Sequence, residues 1–463
     1  MALLAWIAWA IVILVVVWRG VLPAVMPEEA PEPSATEAQE SSLADRLMTF
    51  QGKFLLGAKQ LASSQGDAIP SEQLRTLEMG SVAQRQRAVA LTGVLAGPSE
   101  GLDALHRLEV RVMDAGVQLT PGEQDTNNLL GVAFTSDDAV LSQADRDHLI
   151  DRLGWFGKLT VAGTQPGGEE TLKALRSAAL GLAIILVLVL CLAGLFALLG
   201  LAGLIVGIIL VARRMLKPLA MGGTPSGVFV ETFAAWLVLF LLFSLLAAKT
   251  GTGLGGAFVG FWLSLLALAW LPIRGLSWST VMTEVGLTRG RGLWRELGSG
   301  VAGYIMMLPL LTMGIAGTLG LLKLSEWLAD GANGFQTEVG PAHPIFEIVA
   351  GGSTGELILI YLLAAVAAPV VEEVMFRGVL YRHLRGGTQR WSTWLSIVFS
   401  AALSSLIFAA IHPQGWVAIP VLGTIGVALA LAREWRSSLI APMIMHAISN
   451  GLVITMVTVL ILS

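Results

Sequence analysis

Residues 356–382 read ELILIYLLAAVAAPVVEEVMFRGVLYR. Fifteen positions after Glu356 pass without a charge, and then two adjacent glutamates and an arginine arrive inside the same apolar run. About 20 apolar residues cross the ~30 Å hydrocarbon core of a bilayer as a helix. The stretch 356–376 has that length, and seven more lie near 177–211, 228–247, 255–272, 299–322, 392–411, 416–432 and 438–461. A further run, ALLAWIAWAIVILVVVW, covers 2–18. The expected fold is therefore all-α: a polytopic membrane helix bundle of about nine spans with an inserted soluble helical domain.

Composition agrees. The 463 residues are 55% hydrophobic and 13% charged, about half the charge of a soluble domain. A net charge of −4 argues against nucleic acid as a partner. The single cysteine, Cys191, excludes intramolecular disulfides and cysteine-based metal cages. Fourteen Trp against three Tyr suit the aromatic belts of a membrane protein.

Charge is unevenly spread. Residues 28–172 carry 11 Lys and Arg against 22 Asp and Glu, while the rest of the chain is net basic. The organisation expected is an N-terminal membrane anchor (1–27), an acidic soluble helical domain (28–175), additional transmembrane helices (176–298) and a core at 299–463. The acidic part opens with a Pro/Glu-rich linker, PEEAPEPSATEAQE (27–40), a composition that does not fold alone. Short amphipathic helices are expected after it, with His106 and His148 as solvated side chains. The run 177–211 has no polar turn and reads as one long helix rising out of the bilayer.

With 177–211 as one span, one face of the membrane receives Arg213, Arg214, Lys217, Arg274, Arg289, Arg291, Arg295, Arg377, Arg382, Arg385, Arg390, Arg433 and Arg436. The other receives Lys249 and Lys323. The Arg-rich face is then cytoplasmic, and the acidic domain 28–175 is extracytoplasmic. Arg19 on the outer side runs against the trend.

Ionisable groups in spans are functional suspects by default, because each costs energy to insert. They concentrate in the last 110 residues. In PVVEEVMFR (369–377), Glu373 and Arg377 stand four apart in the favourable order and can neutralise each other. Glu372 points about 100° away on a 3.6-residue turn. It keeps an unshared carboxylate in a low-dielectric setting, a state suited to general base work. Phe408-Ala-Ala-Ile-His412 follows, and then His446-Ala-Ile-Ser-Asn450, whose two polar groups also share a face. Two His, an Asn and a Glu on three helices supply an acid, a base and oxyanion donors, or else a metal site. His383, in YRHLR, reads as interfacial. No H-E-x-x-H and no intramembrane G-D pair occurs, which removes two common protease signatures.

EEVMFR, FAAIH and HAISN, in this order and each on its own apolar helix, resemble the CPBP family, which contains type II CAAX prenyl endopeptidases and bacterial Abi self-immunity-type proteins. The likeness covers roughly residues 300–463 and leaves 1–172 without a counterpart. It implies an intramembrane endopeptidase acting on a membrane-associated protein or peptide within the lipid bilayer. Glu372 would activate a water, His412 would assist, and His446 with Asn450 would stabilise the oxyanion. Glu373, Arg377 and Phe408 would support them. Two His and a Glu (Glu372, His412, His446) could also bind Zn²⁺ with one open position, so a zinc-dependent variant stands beside the metal-free one. The rival from another class is a non-catalytic immunity or scaffold protein. A proton-relay transporter would call for internal repeats with paired broken helices, and none is found.

Simple depths conflict with this site. Counted from Leu357 on the outer side, Glu372 is ~22 Å deep, and counted from Trp394 on the inner side, His412 is ~27 Å deep. In a ~30 Å core the two would sit roughly 20 Å apart in height. A kink at Pro369, continuation of the first helix through GVLYRHL, or a re-entrant stretch at His412–Gly415 would each close the gap.

Overall fold

The computed structural model describes residues 2–21, 35–62, 74–75, 77–135, 140–219, 223–329, 349 and 352–462. In chain order the main helices are α1 (Ala2–Val16), α2 (Ala35–Ala62), α3 (Val82–Leu95), α4 (Pro98–Asp114), α5 (Pro121–Thr135), α6 (Gln143–Leu153), α7 (Trp155–Thr164) and α8 (Glu169–Ala212). They continue as α9 (Gly227–Lys249), α10 (Gly253–Ile273), α11 (Trp278–Val285), α12 (Leu293–Ala329), α13 (Thr354–Gly387), α14 (Thr393–Ala410), α15 (Ile419–Arg436) and α16 (Ile440–Leu462). No strand occurs among the described residues. Eight of the helices are long and apolar enough to span a membrane, and α1 is a shorter apolar helix beside them. The chain is a multi-pass integral membrane protein. The stretch expected as one long helix is one: α8 is unbroken over 44 residues, ~66 Å at the α-helical rise.

Contacts divide the chain into two units, one of Met1–Glu32, Ala193–Leu328 and Pro341–Val459, the other of Pro33–Leu192, Ala329–Gly340 and Leu460–Ser463. In the second, Leu91, Leu130, Leu149, Phe156 and Leu159 form a fully buried centre. Capping boxes start α3 at Ser81 and α6 at Ser142, each satisfying backbone N–H groups left over at a helix start. Part of the stretch expected as a linker is helical instead. Residues 27–34 lie outside the described residues, but ATEAQE (35–40) is the first part of α2. These six are mostly strong helix formers and follow the last proline, so the helix starts there. His106 is exposed as expected. His148 is half-buried and hydrogen-bonds Thr126 Oγ1 at 3.3 Å, because α5 packs against α6.

The membrane unit centres on aromatic packing. Phe376 of α13 makes edge contacts with Phe233, Trp236 and Phe408, with centroids 5.1–5.6 Å apart. Helix α1 covers this core through Ala8, Val12 and Val15. Small residues let helices close in. A Cβ on Gly426 of α15 would lie 2.6 Å from Ser405 Cβ of α14.

Helix α13 decides the site. Proline has no N–H to return to the helix, and here the helix widens on either side of Pro369 into π segments at Leu363–Ala367 and Glu373–Leu380. It nevertheless runs on to Gly387. Its tail is not an exposed interfacial stretch. Arg382 and Arg385 are 1% and 4% exposed, paired with Glu284 and Glu434. His383 is half-buried, with Nδ1 on the Ser226 carbonyl at 2.7 Å and Trp9 Nε1 donating to Nε2 at 3.2 Å. Arg436 likewise meets Glu296 at 2.6 Å.

Gly426→Leu would wedge α14 from α15. The expected cost is about 1–3 kcal/mol, read as a lower unfolding temperature of the purified protein in detergent, whereas a leucine at the solvent-open Gly223 should leave it unchanged.

Candidate active site

Helices α13, α14 and α16 each bring one of the three motifs to a common place. The depth conflict disappears because α13 continues and then turns back into α14. Gly387 is 15 positions beyond Glu372, and His412 is 19 beyond Thr393. Counted from the shared turn, the two differ in height by ~6 Å, about one helical turn. Pro369 and the π segments act together with that continuation. The chain at 411–415 is the tight turn between α14 and α15, joined by the short helix Trp416–Ala418.

Glu373 is fully buried and accepts two bonds on Oε1, from Arg377 Nη1 at 2.8 Å and from His446 Nδ1 at 2.9 Å. The first was legible from the i, i+4 spacing. The second was not, since it joins positions 73 apart in the chain. Arg377 also donates from Nη2 to the Gly426 carbonyl at 3.2 Å, and its guanidinium lies 4.6 Å over the Phe408 ring. A buried Arg held by a carboxylate, a carbonyl and an aromatic face has its charge compensated on every side.

Glu372 stands apart, 14% exposed. Its Oε2 accepts no hydrogen bond from the protein. His446 Nε2 lies 3.7 Å from it and His412 Nε2 3.9 Å. The far side of each ring is committed. His412 Nδ1 meets the Phe408 carbonyl at 2.5 Å. A carbonyl and a carboxylate oxygen accept, so each Nδ1 donates and Nε2 is the ring atom that faces Glu372. Two ring nitrogens and a carboxylate oxygen thus face one another at distances too long for direct bonds, a spacing that a bridging water suits. Phe408 is 1% exposed and packs on both rings, with centroids 4.2 Å from His412 and 5.9 Å from His446.

Asn450 is brought to the same helix but makes another contact: Nδ2 donates to the Ala364 carbonyl at 2.8 Å. In the π register the Ala368 N–H reaches back to Leu363, and the carbonyl one step on, Ala364, would need the N–H that Pro369 lacks. Asn450 replaces that donor and keeps its second N–H.

Among the described residues no group of three His, Cys, Asp or Glu is arranged to hold a metal ion. Glu372, His412 and His446 are not among such groups. Sequence reasoning missed the acids that clamp the far end of α13 and its neighbours: Glu284, Glu296 and Glu434. The signal available was an isolated acid in or beside each Arg-rich connection.

Residues 354–452 match the family model described as Type II CAAX prenyl endopeptidase Rce1-like. Over 90 residues the chain is 32% identical to the membrane-embedded CAAX protease MroQ of Staphylococcus aureus, covering 19% of this chain and 36% of that protein. Over 109 residues it is 30% identical to an uncharacterized 24.3 kDa protein of Escherichia coli, covering 23% and 48%. The chain thus spans between a third and a half of the curated relatives it matches. No solved structure matches it.

Glu373→Gln keeps the shape but removes the charge opposite Arg377. Breaking one partner of a buried pair costs about 3–5 kcal/mol, so this variant should unfold at a markedly lower temperature in detergent, while Glu372→Gln should unfold close to the parent.

Proposed function

We propose that the chain is an intramembrane endopeptidase that hydrolyses a peptide bond of a membrane-associated protein or peptide. The observation that carries this reading is the convergence of two imidazole Nε2 atoms on the unbonded oxygen of Glu372. Homology over residues 354–452 to the CAAX endopeptidase family supports it.

In this reading Glu372, His412, His446 and Asn450 are the catalytic residues. A water bridging Glu372 Oε2 and an imidazole loses a proton to the carboxylate as its oxygen attacks the scissile carbonyl. The proton is then delivered to the departing amine nitrogen, with His412 assisting, as the C–N bond breaks. The products are a carboxylate and an amine. The oxyanion is met by His446, whose imidazolium form Glu373 stabilises through Nδ1, and by the second N–H of Asn450. Arg377 holds the Glu373 carboxylate in place, and Phe408 holds the two rings. A burial-tolerant scaffold role would not require these polar groups in the bilayer, where apolar replacements cost less.

The core at 299–463 would hold this chemistry, with 1–27 as an anchor and 176–298 as additional spans. Residues 28–175 would lie outside the cytoplasm, where they could present substrates.

Glu372→Ala and His412→Ala should each lower cleavage of a model membrane peptide in liposomes by at least about 10²–10⁴-fold, with expression and detergent stability retained. Full activity in both would remove the enzyme reading. For the placement, single cysteines put into residues 77–135 of a Cys191→Ser protein should react with a membrane-impermeant maleimide in intact cells. Protection until lysis would place that part inside.

A further inference from the structure

Away from the candidate site, α8, α12, α14, α15 and α16 enclose a groove of about 540 Å³, within the size range of small-molecule sites. Its walls are almost wholly apolar, among them Gly203, Gly207, Met306 and Leu310, with Trp394 and Trp435. From Gly203 to Val211 it follows α8 for ~12 Å, the length of a stretched hydrocarbon segment rather than of a compact polar ligand.

The way α8 ends sets the chemistry of the groove's mouth. Met215 N bonds Leu210 O and Arg214 N bonds Val211 O, both at 2.9 Å, with Arg214 in the left-handed conformation at φ 56°. This closure folds the chain back over the helix end, and Leu219 N pins it by a 3.0 Å bond to Glu434 Oε1. Leu216, Lys217 and Pro218 therefore line the groove. Lys217 is exposed, as are Arg213 and Arg214, and none of the three has a carboxylate partner among the described residues. Glu434, the acid in the lining, is taken by Arg385, by Tyr381 Oη at 2.8 Å and by Leu219 N. Uncompensated Lys217 thus lines a hydrocarbon-sized groove with tryptophans in its wall, and two further exposed cations, Arg213 and Arg214, precede it by three or four residues in the chain. Basic sites between transmembrane helices near a membrane surface suit anionic lipid headgroups, and tryptophan suits that depth.

We infer that this groove binds one anionic phospholipid, with an acyl chain between α8 and α12 and the phosphate on Lys217 and Arg213. The assignment is independent of peptide hydrolysis. To test it, full-length protein in neutral detergent is titrated with phosphatidylglycerol or phosphatidylcholine of identical acyl chains. Retained lipid is counted by native mass spectrometry alongside the unfolding temperature. One phosphatidylglycerol should be retained and raise the unfolding temperature by several degrees, with little effect of phosphatidylcholine or of inorganic phosphate alone. Reversing the charges (Lys217→Glu with Arg213→Glu) should weaken phosphatidylglycerol binding roughly tenfold or more and leave phosphatidylcholine unchanged. Leu210→Trp, which fills the groove, should abolish retention with the cations intact. Equal retention of both lipids, a preference that survives charge reversal, or stabilisation by phosphate alone would overturn the assignment. Cleavage is not read, so none of these outcomes bears on the hydrolase proposal.

Discussion

A single buried oxygen, Oε1 of Glu373, ties the candidate site together. It receives Arg377 from one turn along its own helix and His446 from the last helix of the chain. A buried carboxylate oxygen is tolerable only when donors from the protein meet it, and these two donors come from different helices. The requirement fixes the rotation of α13 and the approach of α16 at once. It also sets the tautomer of His446, so the nitrogen facing Glu372 is determined by the neighbour that does not face it.

Helix α13 carries a second constraint. A proline in mid-span leaves a carbonyl without its donor, and in lipid that deficit has to be met from within the protein. Widening into a π register and recruiting Asn450 together meet it. The same irregularity brings two consecutive glutamates to different environments, one sealed beneath Arg377 and one at the edge of the imidazole pair. Proline, asparagine and the glutamates therefore form one structural unit, although 81 positions separate Pro369 from Asn450.

Beyond the site, the end of α13 is held by charges rather than by apolar packing alone. Arg382, Arg385 and Arg436 are nearly inaccessible and each faces a carboxylate. Such pairs contribute little net stability against well-packed apolar residues, but they discriminate strongly against misaligned alternatives. A helix of 34 residues needs that alignment if the turn into α14 is to return His412 to the level of Glu372.

The sequence by itself determined the all-α membrane class, the unbroken helix through 177–211, the split between Glu372 and Glu373, and the three motifs worth bringing together. These follow from local quantities: apolar length against bilayer thickness, and spacing on a helix of 3.6 residues per turn. It did not determine the heights. Depth counted from assumed membrane edges separated Glu372 from His412, because nothing local marks how far a helix continues past its apolar run. Nor did it reveal the His446–Glu373 bond, the use of Asn450 on Ala364, or the burial of Arg382 and Arg385. Each of those depends on which groups meet across helices once the backbone is packed, and a buried polar group takes its partner from whatever distance in the chain the packing brings near.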